Sequence, residues 1–503
     1  MAFKALSKEE TYQHYPEGLK LEGAHIFFRH GARTPTWPLF MVAGLPVYWP
    51  LCSGARDMPA TVYLDGGNGS QQGVFLWKHV IERVRKDDGP DVSSSDFNLC
   101  NHGELTDRGR TSMVQLGHDL RMQYITNLSL LPSVLSHPST VYFRSSPIPR
   151  ALESLQHVVW SMFPPESRAP EFGPVTIVQR GERHETLLPN ENFCARFIQL
   201  YKAYTNRTSE RWDNSDEMAY INALIGKHIP HKPIKLAGTP RIHAIDDGIT
   251  STLATDKASG VRLPEAFYDK RLGLILDRLA YEEEFGGYSE NKELRTVGIG
   301  AMLGDVVERM VSQIEHNACS NPNSTSRDDD SKADAGIEAK ATKLWLYGSH
   351  DTTLGATMAS LGADKSIEGE RRWPSYGSVV AIELFRDAQS KETTPQPLSR
   401  WPSLSLSRQS HRPISRTPTS QLSEAQKSRL QNYYVRLRYN NRSLAIPGCK
   451  VAGKNWNGDE AFCTLEAFKD IVDQFTPVNW QKECVESLDR GLPDRVEPAG
   501  FIV

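Results

Sequence analysis

Residues 24–35 read AHIFFRHGARTP. The first five, Ala24–Phe28, have the length and character of a buried strand. Arg29, His30 and Arg33 follow at once, so two arginines and a histidine fall within five residues of a strand end. In open α/β sheets that end is where ligands bind. A guanidinium is a planar fork matched to phosphate oxygens, and two of them can bracket one tetrahedral dianion. Gly31 allows close backbone approach, and a neutral imidazole is a competent nucleophile at about pH 6–7. The bland reading of the same residues is a surface loop with exchangeable charges.

The arrangement recurs twice downstream. Thr140–Phe143 (TVYF) is strand-like and precedes Arg144-Ser145-Ser146. Lys343–Tyr347 (KLWLY) is a short strand and precedes Gly348-Ser349-His350-Asp351-Thr352-Thr353. A His-Asp pair there could be a polar turn. It could equally supply a phosphate donor and a general acid, because a neighbouring phosphate dianion raises a carboxyl's pKa. Three strands delivering Arg29, His30 and Arg33, then Arg144, then His350 and Asp351 to one sheet edge would form an anion cage. The joint pattern is far more specific than any one piece.

Strands and helices alternate around these motifs, which predicts an α/β fold with a mostly parallel sheet flanked by helices. Arg108–Ile125 has Met113, Leu116, Leu120 and Tyr124 at helical spacing. Pro149–Met162 is a helix with proline in its first turn, and Val175–Gln179 is a candidate third strand. Val306–Ile314 is helical. Ser378–Phe385 and Tyr433–Tyr439 resemble a hairpin whose turn has swollen into a long loop. That loop, 386–427, is rich in Ser and Pro, and 317–341 is polar with an acidic run at Asp328–Asp330; both are expected to be disordered surface insertions. Residues 190–285 are helix-rich and read as an inserted helical cap. The expected core is therefore 20–189 with 286–503.

The 503 residues carry 58 Lys+Arg against 61 Asp+Glu, a net charge of −3 that argues against binding nucleic acid by bulk electrostatics. No run of 18 apolar residues predicts a transmembrane segment. Seven cysteines without a CxxC argue against a disulfide scaffold and a Cys-rich zinc module. The N-terminus lacks the apolar stretch of a signal peptide. The expectation is a cytoplasmic protein with free thiols, or a mitochondrial or secreted one if the true start lies upstream. On that expectation the sequons at Asn68, Asn127, Asn206, Asn323 and Asn441 are chance matches. Gly66-Gly67-x-Gly69 and Gly298-x-Gly300-x-x-x-Gly304 miss nucleotide-loop patterns and read as turns or packing glycines. His25, His118 and His157 read as structural. Residues 37–51 (WPLFMVAGLPVYWPL) hold eleven apolar residues of fifteen. They could pack on the core or line an entrance that meets an acyl chain.

FFRHGARTP followed far downstream by GSHDTT resembles the histidine acid phosphatases, branch 2 of the histidine phosphatase superfamily. Gly103-Glu-Leu-Thr-Asp-Arg-Gly109, FRSSPIPRALES (143–154), ETLLPN (185–190), WPSYGSVVAIELF, YYVRLRYNN and CTLEAF (463–468) agree in order, over about residues 20–485. Within the family the chain looks most like the lysophosphatidic acid phosphatases of type 6. The resemblance implies a phosphoglycerate mutase-like fold and hydrolysis of phosphate monoesters through a phosphohistidine, without metal or cofactor. It implies His30 as the nucleophile, Asp351 as the proton donor, and Arg29, Arg33, Arg144 and His350 as phosphate ligands. The expected partner is a small phosphate monoester, with a lysophospholipid in view. The alternatives are a phytase-like inositol-phosphate phosphatase and a non-catalytic phosphate-binding scaffold.

Overall fold

A computed structural model describes residues 3–55, 57–64, 71–79, 81, 98–230, 233–319, 342–364, 373–390, 414–491 and 495–502. The chain sorts into two units. One comprises Met1–Arg29, Leu116–Thr205 and Glu284–Val503, the other His30–Gln115 and Asn206–Glu283. The sequence predicts a helical cap over 190–285, and within that range Asn206–Glu283 groups with His30–Gln115.

The first unit is built on a nine-stranded sheet. Its strands are β1 Leu19–Arg29, β4 Val141–Ser145, β5 Ile177–Val178, β6 Leu344–Ser349, β7 Val379–Asp387, β8 Tyr433–Tyr439, β9 Arg442–Leu444, β10 Asn455–Trp456 and β11 Asp459–Thr464. They lie in the order β10-β11-β8-β7-β1-β6-β4-β5, with β9 on β8. The pairs β1–β6, β6–β4 and β4–β5 are parallel. The mostly parallel arrangement stops there: β7 and β8 are a widened hairpin, which can only be antiparallel, and β7 pairs antiparallel with β1. The sheet is therefore mixed. Every residue of β6 is buried, as befits a strand covered on both faces.

The unit's helices surround its sheet strands in sequence. They are α1 Lys8–His14, α3 Pro149–Met162, α8 Lys292–Arg295, α9 Ala301–Cys319, α10 Asp351–Ser360, α11 Glu424–Ser428, α12 Leu465–Asp473 and α13 Trp480–Glu483, with portions of α2 Asp107–Arg121, α4 Ala195–Trp212 and α7 Lys270–Glu290. Of these, α3, α10 and α12 pack directly on the sheet. Proline stands at the start of α3, where its missing N–H has no intrahelical partner to lose. Met113, Leu116, Leu120 and Tyr124 are all buried, as their spacing requires. The glycines 298, 300 and 304 are packing glycines: added Cβ atoms would meet the Tyr288 hydroxyl, the Phe475 carbonyl and the Thr476 side chain. Gly66, Gly67 and Gly69 lie outside the described residues.

Two expectations need correction. Residues 386–427 are not one disordered insertion. Arg386 and Asp387 finish β7, and 414–428 form two 3-10 turns and α11. Ile414 and Leu422 are buried, and the Thr419 amide and hydroxyl both donate to Asp473 on α12. A few apolar anchors suffice to order a polar stretch. Residues 391–413 and 320–341 lie outside the described residues. The thiols are also not all free: Cys52–Cys100, Cys194–Cys484 and Cys449–Cys463 form disulfides. Their separations of 48, 290 and 14 residues follow no local spacing rule, so the sequence carried no signal for them.

The second unit holds a paired hairpin, β2 Asp57–Leu64 with β3 Gln71–Lys78. It also holds α5 Asp216–Ile225, α6 Ile242–Leu253 and portions of α2, α4 and α7. Its first residues, 30–35, are clamped by 101–109. The Thr34 amide donates to Glu104, the Thr106 amide donates to Ala32, and the Thr34 hydroxyl donates to Asn101. The two glycines of these segments interlock. A Cβ on Gly31 would lie 2.5 Å from the Gly109 carbonyl oxygen, and one on Gly109 would lie 1.9 Å from that of Ala32. Only glycine fits either position.

Candidate active site

The parallel strands bring three motifs to one edge of the first unit's sheet. Arg29 stands opposite Ser349, and Arg144 opposite Tyr347, so β1, β6 and β4 end side by side. Arg29 is fully buried. Its Nη1 donates to the Pro374 carbonyl at 2.7 Å, and its guanidinium lies 4.1 Å over the Tyr376 ring. Its Nη2 meets Asp351 Oδ2 at 2.6 Å. His350 and Asp351 are placed by the β6–α10 junction, with His350 as the N-cap of a ten-residue helix. The partial positive charge of that helix end favours an anion nearby. His350 Nε2 lies 2.7 Å from Ser146 Oγ, which ties the β6 and β4 motifs together. The Thr353 hydroxyl donates to Leu187, joining α10 to the segment ETLLPN.

Arg144 is held by a carboxylate from the segment ETLLPN, whose role no local pattern in the sequence marks. Glu185, 2% exposed, receives Arg144 Nη2 at 2.5 Å. The same oxygen also accepts the backbone amides of Thr186 and Leu187. A carboxylate so anchored cannot drift, so it holds one end of the arginine fork in place. Arg180 and Asp305 extend the cluster, with Arg180 Nη2 2.6 Å from Asp305 Oδ2 and Arg144 Nη1 3.8 Å from it.

In the second unit, His30 is the residue next in chain to Arg29 and is 1% exposed. Its Nδ1 lies 3.0 Å from the Gly31 carbonyl oxygen. A carbonyl can only accept, so a bond there requires the proton on Nδ1 and leaves the lone pair of the neutral ring on Nε2. Arg33 is buried. Its Nη1 and Nη2 make a bidentate pair with the two oxygens of Asp247 on α6, at 2.9 and 3.0 Å. Nothing in the sequence pointed to Asp247, which stands 214 residues from Arg33 in a helix without a motif.

Of the histidines read as structural, His25 and His157 have packing or hydrogen-bond contacts, and His118 is exposed. His25 is stacked on Trp345 at 4.2 Å, and burial lowers its pKa well below the ordinary imidazole value, so it stays neutral. His157 Nδ1 meets the Glu153 carbonyl one helical turn back. The 37–51 run divides. Phe40, Leu45 and Trp49 are buried anchors, whereas Trp37, Met41, Val42, Val47 and Tyr48 are exposed. No helix among the described residues is long and apolar enough to cross a membrane.

The family model of the histidine phosphatase superfamily, branch 2, matches residues 20–440. A probable acid phosphatase of Schizosaccharomyces pombe is 30% identical over 93% of this chain and 95% of its own length. The human lysophosphatidic acid phosphatase type 6 is 23% identical over 74% of this chain and 76% of its own. The apo phytase of Hafnia alvei superposes with a TM-score of 0.53 at 14% identity, covering 93% of this chain and 99% of that one, a likeness of fold. The strand-end motifs, the mixed sheet and these matches lead to one conclusion: the chain belongs to branch 2 of the histidine phosphatase superfamily and is an acid phosphatase, a phosphoric monoester hydrolase.

Proposed function

We propose that His30 carries the phosphoryl group between substrate and water. Nε2 attacks phosphorus, the ester P–O bond breaks, and the leaving alkoxide takes a proton from Asp351. Water then attacks the phosphohistidine, returns a proton to Asp351, and inorganic phosphate leaves with the imidazole regenerated. Arg29, Arg33, Arg144 and His350 bind the phosphoryl oxygens and stabilise the charge that builds there. The observation that carries this reading is the Nδ1–Gly31 contact, which aims the lone pair of His30 through Nε2. Asp351 rests as the ion-pair partner of Arg29. A substrate dianion that takes over this guanidinium removes the interaction favouring the carboxylate, so Asp351 accepts the proton it later donates.

The substrate we favour is an amphiphilic monoester of the lysophosphatidic acid type. Its support is the relative named for that substrate and the chemistry of the segment after Arg33. The residues from Thr34 to Ala55 include no charged side chain, and five exposed large apolar residues lie between Trp37 and Tyr48. A polyphosphorylated ring would call for cations there. The three disulfides favour an oxidising compartment over the cytoplasm.

A panel of lysophosphatidate, inositol hexakisphosphate and p-nitrophenyl phosphate tests the substrate. Lysophosphatidate should give the highest kcat/KM. A preference for the inositol phosphate would replace this substrate with the phytase-like one.

A further inference from the structure

We propose that Asp247 is a positioning residue for phosphate binding, acting through Arg33; this rests on the role just given to Arg33. The geometry is a built one. Both terminal nitrogens of Arg33 face both oxygens of Asp247, and Nη1 also donates to the Thr34 carbonyl at 3.0 Å. The pair is nearly shielded from water, with the side chains 7% and 13% exposed. A two-point, charge-assisted contact of this kind fixes the rotation of a guanidinium as well as its place.

Each partner is itself held. The backbone of Arg33 bridges to Leu105, and the Thr34 amide donates to Glu104. Asp247 lies on the twelve-residue helix α6, whose Ile242, Ile245, Gly248 and Ile249 are buried. Gly248, the residue next to Asp247, is packed against the Phe40 ring: a Cβ there would lie 2.6 Å from Cε2. Phe40 in turn packs edge-on against Phe267 at 5.1 Å between ring centres. Arg33 and Phe40, seven residues apart in one loop, are thus seated on consecutive residues of one helix. The helix sets the loop's approach through Gly248 and the arginine's aim through Asp247.

The competing role has the opposite sign. If Asp247 merely occupied the fork against an incoming anion, removing its charge would tighten phosphate binding. The test compares Asp247→Asn, Arg33→Ala and the double variant, reading kcat and KM for p-nitrophenyl phosphate and the inhibition constant of inorganic phosphate. Asp247→Asn should lower kcat/KM about 10- to 100-fold and weaken phosphate inhibition in parallel. In the Arg33→Ala background the same substitution should cost less than about twofold. Should Asp247→Asn fail to fold because Arg33 loses this counter-charge, the double variant removes that buried charge, and its comparison with Arg33→Ala still gives the answer. Tighter or unchanged phosphate inhibition in Asp247→Asn overturns the proposal, as does a full multiplicative loss in the double variant. If Arg33→Ala itself binds phosphate as the parent does, the role of Arg33 is what fails.

Discussion

The sheet of the first unit carries two buried clusters of arginine and carboxylate, and their contrast shows what marks a site. At mid-strand, Glu383 of β7 faces Arg436 and Arg438 of β8, all three essentially inaccessible to water. One Glu383 oxygen takes the Arg436 fork at 2.8 and 2.9 Å; the other accepts the Tyr15 and Tyr124 hydroxyls at 2.7 and 2.9 Å. Arg436 also donates to the His14 carbonyl. This cluster pins the N-terminal segment to the sheet. At the strand ends, Arg29 and Arg144 each have their own carboxylate, Asp351 and Glu185, supplied by a helix start and a loop. The arginines are buried in both places, although Glu383 serves two of them whereas each strand-end arginine has its own carboxylate. What differs is location: only the second cluster lies at the C-terminal ends of parallel strands, where backbone and side chains open toward a ligand.

Substitutions can break or sharpen that contrast. The largest effect should come from the imidazole that follows Arg29 in the chain. His30→Ala should lower kcat by about 10⁴-fold or more, the scale of losing a covalent nucleophile, with the unfolding free energy changed by less than about 1 kcal/mol. Steady-state kinetics and urea unfolding read the two quantities separately. The mid-strand cluster should respond in the reverse sense. Glu383→Gln should cost about 3–5 kcal/mol of stability, because two guanidinium groups are left buried without their counter-charge, while the folded fraction keeps its turnover. A large kcat loss with intact stability would erase the distinction between the two clusters.

The stability effect of Glu383 should depend on pH. Burial alone would push this carboxyl up, but Arg436, Arg438 and the Tyr15 hydroxyl outweigh it and hold the pKa below the usual value. Since the folded value is the lower one, the contribution is complete above the unfolded pKa of about 4.3 and is lost as pH falls through the folded value. The gap between parent and Glu383→Gln should therefore persist down to about pH 4 and close only below it. Urea midpoints taken across that range check this.

Smaller effects follow. Glu185→Gln should reduce kcat/KM about 10- to 100-fold by loosening the Arg144 fork; an unchanged value would make Glu185 purely structural. Gly109→Ala forces a Cβ onto the Ala32 carbonyl and should cost about 1–3 kcal/mol in thermal or urea unfolding.

Much of this was legible in the sequence. The bounds of α3 and β8 match their reading in the sequence, and β1, β4 and β6 run one or two residues past the apolar runs that end at Phe28, Phe143 and Tyr347. The resemblance to the family added roles to residues the pattern had already singled out. What stayed hidden depended on long-range pairing. Asp247 meets Arg33, and Cys194 meets Cys484, across separations that no periodicity reports. The antiparallel half of the sheet was half-visible, in the hairpin reading of Ser378–Phe385 and Tyr433–Tyr439. The order at 414–428 was missed because Ile414 and Leu422 are isolated in a polar stretch, and their burial is decided by the surface they meet.

Rapid quench with a ³²P-labelled monoester tests the central claim most directly. The account predicts a burst of protein-bound phosphate, stable in base and labile in acid, that maps to His30 and is absent from His30→Ala. Turnover with no such adduct, or label on another residue, would contradict it.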